Sequence, residues 1–165
     1  MVKWQAHYVP ADVILKWVNY VRDARESGDV PKETLVTSSD NFAAWGGLSS
    51  YNSKTLQDLV KAVDFVSVHT YPFHDTHYNS KFWKTPGENK NLSDKEKIDN
   101  GVKRAVERAK SQYQAVKEYV HSIDPKKPLH IGETGWASKS TDLYGASGSK
   151  AADEYKQKKY YDLLR

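Results

Sequence analysis

The feature that most constrains this chain is a regular alternation of short apolar runs with longer helical faces. Thr34–Leu35–Val36–Thr37–Ser38, Asp64–Phe65–Val66–Ser67–Val68–His69 and Pro128–Leu129–His130–Ile131–Gly132 have the length and residue types of buried strands. Helical spacing fills the intervals. Val13, Ile14, Trp17, Val18 and Val21 recur on one face, with Pro10 at the start and Gly28 just past the end. A second helix is expected over Lys54–Ala62, capped by Asn52 or Ser53, with Leu56, Leu59, Val60 and Val63 inward. Ser93-x-x-Glu96 forms a capping box for the longest helix. Its apolar positions, from Ile98 through Val102, Ala105, Ala109, Tyr113, Val116 and Val120 to Ile123, step by three or four until Asp124–Pro125 ends it. A Lys- and Tyr-rich helix reaches Arg165. The order α-β-α-β-α-β-α implies a parallel sheet joined by right-handed crossovers.

Three strands and four helices are few for a complete parallel α/β domain. The last helix has no strand to feed, so the 165 residues are expected to be part of something larger. Composition removes several functions. The absence of cysteine rules out disulfides, thiolate metal sites and cysteine nucleophiles. The net charge of +4 comes from scattered lysines with no basic stripe, so no nucleic-acid partner is expected. No apolar run approaches a membrane span, so no membrane partner is expected either. The first eight residues hold no apolar h-region, which leaves localisation open. Five Trp and eleven Tyr are more than the helical faces need, and several lie in apparent loops. Rings in loops need a partner, and the C–H faces of sugars are a frequent one.

Functional groups in parallel α/β folds gather at the carboxyl ends of strands. Here those ends carry Ser38–Ser39–Asp40–Asn41, then His69–Thr70–Tyr71–Pro72–Phe73, then Glu133–Thr134–Gly135–Trp136. A carboxylate ending a buried strand, with Gly and Trp just beyond, is a candidate nucleophile. The blander reading is that Glu133 pairs with a lysine or caps a helix. A retaining glycosidase needs two carboxylates ~5–5.5 Å apart, one attacking the anomeric carbon and one moving the proton. Asp40 is the other carboxylate at a strand end; it could contact a sugar hydroxyl, but nothing marks it as the acid.

These segments resemble glycoside hydrolase family 17, the β-1,3-glucanase family. Ile131–Gly132–Glu133–Thr134–Gly135–Trp136–Ala137–Ser138 resembles the family's nucleophile strand. Asp64–Phe73 is similar to its sixth strand, which ends in Asn or His, one residue, Tyr-Pro and an aromatic. Val36–Asp40 resembles the fifth. The resemblance implies a partial (β/α)8 barrel over residues 1–165, from helix four to helix seven. It implies Glu133 as nucleophile, Tyr71, Phe73 and Trp136 as aromatic groups of the sugar cleft, and His69 as a polar group there. It implies a β-glucan substrate, no cofactor, and a secreted, periplasmic or cell-wall setting. The family's acid/base Glu follows an Asn at the end of strand four, which would precede Met1. Strand eight would follow Arg165. The chain is therefore expected to lack the acid/base and to expose open strand edges that favour self-association.

Three functions follow: a retaining β-1,3-glucan hydrolase or glucanosyltransferase, a non-catalytic glucan-binding or scaffold piece, or another barrel glycosidase. His69, His74 and His77 lie within nine residues, but loop spacing is a weak metal signal and no metal is expected. Trp45, Phe73, Tyr78, Phe82 and Trp83 are expected either to stack on sugar or to form a small satellite core. Trp4 and Trp17 are expected to be structural, and Tyr160 and Tyr161 to pack on an outer helix.

Overall fold

The structure, a computed structural model, describes residues 8–73, 91–139 and 152–165. The architecture is α/β. Among the described residues, three parallel strands lie in the order β1-β2-β3, with helices in the crossovers, and this fits part of a (β/α)8 barrel. The elements are α1 (Ala11–Ser27), β1 (Ser39–Asn41), α2 (Phe42–Trp45), α3 (Lys54–Ala62), β2 (Val66–Thr70), α4 (Asp94–Ile123), β3 (Leu129–Thr134) and α5 (Glu154–Leu164). Trp4, His74, His77, Tyr78, Phe82 and Trp83 lie outside the described residues.

The chain divides into two compact units, residues 1–70 with 112–133, and residues 71–111 with 134–165. The first holds the sheet. Strand alternation turns Val66 and Val68 of β2 towards the helices, where they join Leu56, Leu59, Val60 and Val116 in a fully buried core. Each such side chain contributes roughly 1.5–3 kcal/mol by leaving water. Helix α1 packs on α3. Gly28 ends α1 with φ of 85°, a left-handed conformation that a side chain would oppose, and its N–H donates to Arg25 O. Ser53 caps α3 by accepting from Leu56 N at 3.1 Å. The Ser93–Glu96 box forms in both directions, Glu96 N to Ser93 Oγ at 3.3 Å and Ser93 N to Glu96 Oε2 at 2.8 Å.

Two expectations change and one open alternative closes. The strand expected over 34–38 does not ladder; β1 begins at Ser39 and pairs Ser39 with Ser67, Asp40 with Val68 and Asn41 with His69. One backbone bond does form, Asp64 N donating to Val36 O at 2.9 Å, but the next groups are taken by side chains. The Asp64 carboxylate accepts from Val36 N at 2.6 Å, and Thr37 Oγ1 donates to Phe65 O at 2.5 Å. Arg25 then bridges this stretch to α1, donating to Thr34 O at 2.8 Å and to Asp64 Oδ2 at 2.9 Å. Leu35 is left exposed. Second, the choice left open for Trp45 closes on core: the Asn41 side chain accepts from Ala43 N and caps α2, the short helix that carries it. This turn buries Trp45 completely, so Trp45 is core and not a sugar platform. Third, Trp17 is 64% exposed and rests edge-on against Tyr20 at 6.1 Å. The inner side of α1 is instead Ala11, Ile14, Leu15 and Val18.

The second unit has a different core. Phe73, Val102, Ala105, Val106, Trp136 and Tyr160 pack together, with Ile98, Leu163 and Leu164 at the margin. Asp99 of α4 holds α5, accepting from Tyr155 Oη at 2.5 Å and pairing with Lys159 at 3.5 Å.

Candidate active site

In the first unit, the ends of β2 and β3 bring His69 and Glu133 together. His69 Nδ1 lies 3.2 Å from Glu133 Oε2; the side chains are 19% and 53% exposed. One member of the pair is thus sheltered and the other open to a ligand. The far ring nitrogen, His69 Nε2, is buried and has no hydrogen-bond partner among the described residues.

The backbone beneath the pair is fixed closely. Ser39 Oγ donates to Ser67 Oγ at 2.8 Å, and both hydroxyls face Gly132. A Cβ at Gly132 would sit 1.9 Å from Ser67 Oγ, so only glycine lets β3 approach β2 this closely one residue before Glu133. Behind the sheet, Thr70 Oγ1 donates to Gln112 Oε1 at 2.5 Å with both residues buried, which ties the end of β2 to α4. The start of β3 is tied as firmly. Lys127 Nζ, almost fully buried, donates to Val63 O at 2.6 Å and Lys61 O at 3.3 Å and pairs with Asp124 at 3.2 Å. Tyr113 Oη donates to Leu129 O at 3.1 Å. A buried ammonium is costly unless its donors are met, and here three acceptors meet them.

Asp40 stands on β1 but is 6% exposed, and its Oδ1 accepts from Asn41 N at 2.7 Å. That burial leaves little of it for a sugar hydroxyl. His69 meets Glu133 itself, while Ser39 and Ser67 meet Gly132 beside it, and Ser67 was not anticipated. Its signal was present in the alternation, since Ser67 and His69 are two apart on one strand face.

The second unit holds the aromatic candidates. Trp136 is 3% exposed; its ring meets Phe73 at 5.3 Å and 70°, and Tyr160 at 5.4 Å and 37°. Phe73 is 3% exposed as well, so the faces expected to stack on sugar are occupied by protein. Tyr160, expected to pack on an outer helix, is fully buried in this core, and its Oη is hydrogen-bonded to Thr134 Oγ1 at 2.5 Å. Burial pushes its hydroxyl pKa up, so it stays a neutral hydrogen-bonding group. Gln157 Nε2 donates to Trp136 O at 2.7 Å. Tyr71 is the half-buried member, with its ring against Gly135, where an added Cβ would lie 3.3 Å from Cε1.

No family model matches the chain, and no curated protein matches it. Among solved structures, an endo-laminarinase from Formosa Hel1_33_131 is similar over 100% of this chain, with 49% identity and a TM-score of 0.90. A β-1,3-glucanosyltransferase from Rhizomucor miehei, an active-site mutant in complex with laminaritriose, is similar over 94% of it, with 19% identity and a TM-score of 0.52. The second likeness is one of fold. The chain spans 42% of the length of each of these chains.

Proposed function

We propose that this chain is the nucleophile-bearing part of a retaining β-1,3-glucan hydrolase of glycoside hydrolase family 17, with Glu133 as the nucleophile. The observation that carries the reading is the 49% identity and 0.90 TM-score to an endo-laminarinase over the entire chain. An endo-acting hydrolase is favoured over a glucanosyltransferase because the transferase is alike in fold alone. Residues 1–165 are read as a portion of one catalytic domain, with the acid/base Glu supplied from outside these residues.

In this reading a Glu133 oxygen attacks the anomeric carbon, and the glycosidic C–O bond breaks. The leaving oxygen takes its proton from the acid/base, and water then cleaves the glycosyl ester. Tyr71 is assigned to the bound sugar. Phe73, Trp136 and Tyr160 are assigned to holding the segment that carries it.

A probe that needs no acid separates the nucleophile from its missing partner. A 2-deoxy-2-fluoro-β-laminaribiosyl fluoride should label the chain once, on the peptide containing Glu133, as read by intact mass and peptide mapping. Label on another residue, or equal labelling by the β-1,4-linked cellobiosyl analogue, would defeat the assignment. Laminarin itself should not be turned over by the isolated chain; robust turnover would show that the acid/base lies within it.

A further inference from the structure

We infer that His69 is a positioning residue for Glu133 and not a sugar ligand; this rests on the reading of Glu133 as nucleophile. His69 Nδ1 is in ion-pair contact with one carboxylate oxygen, 3.2 Å from Oε2. A carboxylate can only accept, so Nδ1 carries the proton. The neutral ring then leaves Nε2 as an acceptor, and Nε2 is the atom buried without a partner among the described residues. A bare acceptor is less costly to bury than a bare N–H, so the burial and the contact favour the same tautomer. The side chain is 19% exposed against 53% for Glu133. A ring that offers its far nitrogen to the interior and its near nitrogen to Glu133 has no donor left for a sugar hydroxyl.

The ring is itself held. The β2 backbone at His69 pairs with Asn41 of β1, and Ser67 on the same strand face is locked to Ser39. The donor therefore comes from a paired strand residue and not from a loop, which suits a group that must fix an angle. Its effect would fall on the carboxylate plane. With Oε2 held, rotation about the last side-chain bond of Glu133 is restricted, and attack on the anomeric carbon starts from one orientation. The same donor remains on Oε2 when that atom is the carbonyl oxygen of the glycosyl ester. It is in place when the carboxylate departs in the second step.

The test uses the full chain and the fluoride probe. In the labelling step a Glu133 oxygen forms a bond to the anomeric carbon. The carbon–fluorine bond breaks, and its electron pair leaves with fluoride. His69→Ala should lower the labelling rate at saturating probe on the order of 100-fold, the scale of a misplaced reacting group, with the half-saturating concentration unchanged. His69→Asn can place an amide N–H near the Nδ1 position and should recover most of the rate. His69→Gln places its amide further out and should behave like the alanine variant. Circular dichroism and melting on all three separate folding from labelling, and recovery in His69→Asn keeps the test valid if His69→Ala is unstable. A raised half-saturating concentration with an unchanged saturating rate would make His69 a sugar ligand and overturn the inference. Equal rates in all variants would overturn it too, with the nucleophile intact. No labelling of the unsubstituted chain would sink the nucleophile reading and the His69 role with it.

Discussion

The two units solve the same packing problem with different side chains. The first buries Leu56, Leu59, Val60, Val66, Val68 and Val116 behind a parallel sheet, and its polar groups collect on the other face and at the strand ends. The second buries rings, Phe73, Trp136 and Tyr160, between the first half of α4 and α5. The aliphatic unit holds the candidate reacting pair. The second unit holds Tyr71, Phe73 and Trp136, the rings that the family resemblance assigns to the sugar cleft. Phe73, Trp136 and Tyr160 are therefore spent mainly on stability, as Trp45 is in the first unit.

The sharpest way to break this division is at its two extremes. Glu133→Gln should abolish labelling by the fluoride probe while leaving the melting temperature nearly unchanged, because the side chain is 53% exposed. A large fall in stability would show that Glu133 is structural. Trp136→Ala should do the reverse. Loss of a buried Trp costs about 3–5 kcal/mol, seen by denaturant melting, and the near-ultraviolet signal of the ring cluster should go with it. A small loss of stability with a large loss of probe affinity would return Trp136 to the sugar cleft.

The next two effects are smaller. Gly132→Ala forces Ser67 or β3 to move, at about 1–3 kcal/mol by analogy with other overpacked sites, and should slow labelling of the adjacent Glu133. Normal labelling with normal stability would show that the 1.9 Å approach is relieved cheaply. The smallest effect belongs to Asp99. The Tyr155 hydroxyl, ahead of Lys95 and Lys159, holds its carboxyl at about 2, below the ordinary 3.8. A lowered folded-state value gives stability that is present above the ordinary value and lost as pH falls towards 2. Asp99→Asn should flatten the acid limb of the melting curve between about pH 4 and pH 2. An unchanged limb would mean that Tyr155 and Lys159 do not depend on that charge.

Much of the first unit was legible in the sequence, because periodicity reports directly on aliphatic cores. The face of α3, the second half of α4, the Ser53 cap and the Gly28 stop all form as their spacing predicts, and in the second unit so does the Ser93–Glu96 box. The errors occur where side chains compete with the backbone. The Asp64 carboxylate takes Val36 N and the Thr37 hydroxyl takes Phe65 O, two groups that a ladder over 34–38 would have used. No local propensity registers a carboxylate arriving from 28 residues away. The aromatics were ambiguous for another reason. A Trp beyond a strand end looks the same in sequence whether it meets a sugar or Tyr160. The partner sits on α5, 24 residues on, with no periodic link to it. Trp17 shows the opposite error, since its helical spacing suggested burial and its ring is exposed.

Helix α4 belongs to both halves of this comparison. Its 30 residues run unbroken from Asp94 to Ile123, about 45 Å at the usual rise, and the unit division falls between Ser111 and Gln112. Its backbone amides therefore form a single ruler for hydrogen exchange. Amides up to residue 111 exchange when the aromatic core opens, and those from 112 onward when the aliphatic core opens. A step in protection along one helix would measure the difference in opening free energy between the units without altering a residue, and a flat profile would show that the two cores open as one.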